Sequence, residues 1–76
     1  MKKQDIYHSH PQIMSGEPVF TGTRVPVSSL VHHLAAGDSI DQFLDGFPTV
    51  SREQAIAFLD LVLAEALESV PEYQSV

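Results

Sequence analysis

Three chain breakers, Gly37, Pro48 and Pro71, divide the last two-thirds of the chain into segments that each accommodate one helix. Glycine is the default residue just past a helix C-terminus, and a proline pushes the residue before it out of the α region. Start signals sit where those stops require them. Ser28 or Ser29 is placed to cap a first helix that ends at Gly37. Ser39 with Gln42, and Ser51 with Gln54, are capping boxes that open a second and a third helix. Leu30, Val31 and Leu34 share one face of the first helix, while Ile40, Phe43, Leu44 and Phe47 follow helical spacing in the second. The third helix runs to about Ser69, and its main stripe is Ala55, Ile56, Leu59, Val62, Leu63, Ala66, Leu67 and Val70. Phe58 falls on a flank of that stripe. Leu61 points nearly opposite its centre, between Glu65 and Glu68. With the stripe assigned to the core, Phe58 and Leu61 are expected to form a second contact surface, for a homodimer or another partner.

The first 27 residues read differently. His10-Pro11 and Gly16-Glu17-Pro18 cut them into short extended pieces, with Ile6, Tyr7, Ile13 and Met14 as core contacts. Two β-prone runs, Val19-Phe20 and Val25-Pro26-Val27, flank a turn at Gly22 and predict a small hairpin. Pro26 lacks a ladder donor, so its strand ends there or lies at an edge. The expected organisation is one domain: an extended segment and hairpin over 1–27, a three-helix unit over 28–70, and a tail over 71–76. In that tail Tyr73 and Val76 are the apolar groups available for docking.

A chain of 76 residues has one small core, and without cysteine it has neither a disulfide nor a thiolate zinc site to reinforce it. Small secreted domains usually need such reinforcement. The charged start, Met1-Lys2-Lys3-Gln4-Asp5, is followed by no long apolar run. Both features point to a cytoplasmic protein with no membrane partner. Charge is unevenly spread. Residues 1–36 carry Lys2, Lys3 and Arg24 against Asp5 and Glu17, a balance of +1. Residues 37–76 carry Arg52 against eight acids, a balance of −7. Such a half repels phosphate backbones.

The run Gly16-Glu17-Pro18-Val19-Phe20-Thr21-Gly22-Thr23-Arg24-Val25-Pro26-Val27 resembles domain-of-unknown-function family 433. The similarity continues through Gly37, Ser39-Ile40 and Phe47-Pro48-Thr49-Val50-Ser51, and covers roughly residues 6–67. Some members of that family are described as VapB-type antitoxins. The resemblance implies a mainly α chain with a short N-terminal β-hairpin and a homeodomain-like three-helix domain containing a helix-turn-helix. It further implies the small partner of a PIN-like ribonuclease toxin. An antitoxin of this kind neutralises its toxin and, in some pairs, represses its own operon.

Each chemical constellation has a structural reading beside the functional one. Gly16, Pro18, Gly22, Thr23, Pro26, Gly37 and Pro48 shape the backbone. Arg24 is expected to pair with Glu17 or Asp5; the functional reading gives it a phosphate or a carboxylate cluster, which a planar guanidinium binds bidentately. If the third helix is a recognition helix, Ser51, Arg52 and Gln54 reach base edges, with Arg52 on guanine and Gln54 on adenine. Lys2, Lys3 and Arg24 would then hold phosphates. Charge disfavours that reading. His8 and His10, two apart on a strand, share a side, whereas His32 and His33 diverge by about 100° on a helix. No carboxylate set completes a metal site, and solvated or structural histidines are expected. No nucleophile–base–orienter set and no phosphate loop appears, and a domain this small has little room for a pocket of several hundred cubic ångströms. The expectation is therefore a non-enzyme without cofactor or metal. Its partner would be a PIN-like ribonuclease toxin, held through Phe58, Leu61, Glu65 and Tyr73, and it would itself be a homodimer. The alternative is a dimeric helix-turn-helix regulator of operator DNA.

Overall fold

The computed structural model describes residues 1–12 and 16–69. The expectations for Ile13, Met14, Val70, Tyr73 and Val76 lie outside these residues. The described elements run α1 (Lys3–Ile6), β1 (Tyr7–His8), β2 (Val19–Phe20), α2 (Val27–Ala35), α3 (Ile40–Gly46) and α4 (Arg52–Ser69). The chain is mainly helical, with a short antiparallel strand pair at its N-terminal end.

That pair is not the expected one. Tyr7 pairs with Phe20 and His8 with Val19. The expected hairpin around Gly22 is reduced to a single bridge between Val19 and Pro26. The flanking hydrogen bonds explain why. Phe20 N–H donates to Val25 O at 2.9 Å and Val27 N–H donates to Pro18 O at 3.0 Å, so Pro26 sits where no donor is asked of it. The turn is locked by Thr23, whose hydroxyl donates to Phe20 O at 2.8 Å and accepts from Val25 N–H at 3.0 Å. Gly22 takes φ 81°, the left-handed region that costs a glycine least. A further departure is α1, one turn in a segment expected to be extended. Asp5 closes it by accepting from Lys2 N–H at 3.2 Å.

The helix boundaries follow the breakers. Gly37 (φ 94°) and Asp38 close α2 in a Schellman motif, with Gly37 N–H on Leu34 O and Asp38 N–H on His33 O. Ser39 and Gln42 form the expected box on α3, at 3.1 and 2.7 Å. Neither Ser28 nor Ser29 caps α2; Pro26 is its N-cap residue, and the Ser28 hydroxyl instead donates to Glu17 Oε1 at 2.8 Å.

The core gathers Ile6, Phe20, Leu30, Phe43, Val50, Ala55 and Phe58. Phe58 packs edge-on against Tyr7 and Phe20, with centroids 5.4 and 5.6 Å apart. This corrects the sequence reading of α4. Phe58 is buried and Leu61 is half-buried against the same cluster, so neither forms a free contact surface. The flank goes inward because it carries the helix's only aromatic ring, the largest area one residue can bury. Of the stripe assigned to the core, Ala55 is buried and Leu59 is half-buried against the cluster as expected, while the other described members are left open. Ile56 is 41% exposed, Val62 39%, Leu63 57% and Leu67 64%. Every described residue from Val62 to Ser69 is exposed, so the last two turns of α4 project past the core. On α2, Leu30 is buried while Val31 is 44% exposed.

Candidate functional site

Two surfaces stand out. The first is an open, mostly apolar cleft of about 690 Å³ between the turn at 22–26 and the connection from α3 to α4, with Arg24 on its wall. It is larger than a domain of this size was expected to offer. Its room comes from the gap between two loops at the surface, not from a hollow in the core. Arg24, Thr23, Val25 and Pro26 form one wall, Phe47 and Thr49 face them, and His8 closes one side.

Arg24 does not make the expected ion pair. Glu17 is engaged with Ser28, and Asp5 with the backbone of Lys2. Among the described residues no carboxylate pairs with Arg24, which lies exposed on the cleft. Thr21 Oγ1 donates to Gln4 O at 2.7 Å and lies 3.1 Å from His8 Nδ1, which holds the imidazole against the turn.

The residues assigned to base edges are committed elsewhere. Gln54 is buried at 6% exposure, and its amide nitrogen donates to Ile6 O and Thr21 O, each at 2.9 Å. Ser51 Oγ accepts from Gln54 N–H at 3.0 Å. The guanidinium of Arg52 pairs with Asp41 of α3. Gln54 is thus a strut joining α4 to the N-terminal segment, and its side chain cannot reach a base without dismantling that joint. Of the residues assigned to phosphates, Lys3 pairs with Glu65 at 3.7 Å across α1 and α4, and Lys2 is exposed. Glu65, assigned to the partner surface, is exposed beside the open stripe and holds that lysine.

The histidines act singly. His10 accepts from Gln12 N–H at 3.1 Å, outside the strand that ends at His8. His33 is half-buried, not solvated. It meets Asp38 at 2.9 Å and stands edge-on to Phe43 and Phe47, at 5.5 and 5.7 Å. His32 is exposed.

The second surface lies on α4. Ile56, Val62, Leu63, Ala66 and Leu67 are exposed and span an arc of roughly 140° at helical spacing. Asp60 borders one edge of that arc, and Glu65 and Glu68 lie further round the helix. Sequence reasoning found this stripe and assigned it to the core. The cleft it missed, because His8, Arg24 and Thr49 are far apart in the chain and share no spacing signal.

The family model described as "Protein of unknown function (DUF433)" matches residues 8–61. The chain belongs to the DUF433 family. The match takes in the entire cleft, β2 and the second residue of β1, and stops at Leu61, the last α4 residue packed on the core. The exposed end of α4 thus lies beyond the matched DUF433 segment. A relative is the "Uncharacterized protein y4eO" of Sinorhizobium fredii (strain NBRC 101917 / NGR234), 39% identical over 51 residues. That alignment takes 67% of this chain and 23% of the relative, so the chain spans about a quarter of that protein's length. No solved structure matches the chain.

Proposed function

We propose that this DUF433 chain is an antitoxin-like small subunit that binds and neutralises a PIN-like ribonuclease. The observation that carries the reading is the open apolar arc on α4. Contiguous apolar side chains rimmed by charge mark a protein interaction site. The rim here is acidic, and the helical half carries −7. A nuclease that binds RNA presents a basic face, which such a rim attracts and orients. The same acidity weighs against a second copy of α4 as the occupant, since Asp60, Glu65 and Glu68 would meet their equivalents. Catalysis plays no part in this reading, and the work of the chain is occlusion.

Co-expression with the product of the adjacent gene is the test. The pair should co-purify, and growth should be restored when a toxic partner is expressed with the wild-type chain. A Leu63→Glu/Leu67→Glu double variant should keep its circular dichroism spectrum and lose both effects. If that variant still rescues growth, the α4 surface is not the interface.

A further inference from the structure

We propose that the cleft between the turn at 22–26 and the α3–α4 connection binds a small organic carboxylate whose remainder is apolar. The inference is independent of the reading above, because no α4 side chain lines this cleft.

Charge pairing is the first support. The chain has ten acidic side chains against four Lys and Arg. Lys3 pairs with Glu65 and Arg52 with Asp41, whereas among the described residues Arg24, like Lys2, has no carboxylate partner, and Glu17 and Asp5 are engaged elsewhere. Of the two unpaired cations, Arg24 is the one on a recess wall, where its guanidinium is available to an anion. The planar fork of arginine matches a carboxylate with two parallel hydrogen bonds.

The wall beside it is the second support. Val25, Pro26 and Phe47 make most of the cleft apolar. A ligand held by Arg24 therefore lays its remaining atoms against hydrocarbon, and an organic body fits better than a bare ion. The protein's net charge of −6 acts in the same direction. It penalises polyanions more than a singly charged acid.

The third support is rigidity. Arg24 sits between Thr23, whose hydroxyl makes two backbone hydrogen bonds, and Val25, whose carbonyl accepts from Phe20. The backbone carrying the guanidinium is thus held before any ligand arrives, which lowers the entropy cost of binding.

The experiment is a titration of the ¹⁵N-labelled full chain with benzoate, acetate and inorganic phosphate, followed by amide and arginine Nε shifts. Benzoate should move His8, Thr23, Arg24 and Thr49 along saturating curves, while the amides of Leu63 and Leu67 stay fixed. Acetate, which lacks the apolar body, should bind about tenfold more weakly. Phosphate should also bind more weakly than benzoate. Arg24→Gln should weaken benzoate by about tenfold and Arg24→Lys by less, with both melting curves unchanged. The proposal is overturned if benzoate shows no saturation below roughly 50 mM, if Arg24→Gln binds as wild type does, or if acetate or phosphate equals benzoate.

Discussion

Gln54 shows how one side chain serves two ends. Its backbone N–H and side-chain oxygen close the box with Ser51, while its amide nitrogen satisfies carbonyls 48 and 33 residues away. Removing the amide leaves Thr21 O without this donor and Ile6 O with Thr21 N–H alone, at a joint that is largely buried. Gln54→Ala should cost about 2–3 kcal/mol in urea unfolding, more than a surface cap alone. Phe58→Ala should cost about 3–5 kcal/mol, because the ring contacts of Tyr7 and Phe20 are lost together. Leu67→Ala, one face round the same helix and 64% exposed, should change stability by less than about 0.5 kcal/mol. That contrast checks directly which face of α4 is the core face.

The elements are set by their ends. Gly37 lies at φ 94°, and a methyl group added there would meet nothing within 4 Å. Gly37→Ala therefore isolates backbone strain from steric overlap, and it should cost about 1 kcal/mol in the same assay. The short elements borrow their order from neighbours. Two-residue strands are marginal by themselves. Thr21 N–H on Ile6 O and the Gln54 amide on the same carbonyl join the end of α1, the turn that follows β2, and α4 into one unit. Hydrogen exchange should accordingly protect the Thr21 amide to the same degree as the middle of α3, although Thr21 lies in a turn.

Across the whole molecule, a compact N-terminal part and α2–α3 enclose the core, and the end of α4 reaches beyond it. The cleft and the α4 arc lie on different elements, so a chain of this size carries two surfaces that can be disabled separately. Arg24→Gln should leave partner capture intact, and the Leu63→Glu/Leu67→Glu variant should leave benzoate binding intact. Raising ionic strength from about 0.05 to 0.5 M should slow association with a basic partner while changing dissociation little, as measured by surface plasmon resonance.

The sequence by itself determined α2, α3 and α4, their order and most of their ends. Gly37, Ser39, Gln42, Pro48, Ser51 and Gln54 act through hydrogen bonds and dihedral limits that span four residues or fewer. The family motif was legible too, since a run such as Gly22-Thr23-Arg24-Val25-Pro26-Val27 is local. Which face of α4 turns inward was not legible. The helix offers a broad aliphatic arc on one side and Phe58 with Leu61 on another, and periodicity weighs apolar residues by number. Only the tertiary structure placed Tyr7 and Phe20 opposite, where one ring fills more space than several aliphatic side chains arranged around a projecting helix. The strand pairing was decided the same way: the sequence pointed Val19 and Phe20 to the neighbouring run at Val25–Val27, and Pro26 left the fuller ladder to Tyr7 and His8.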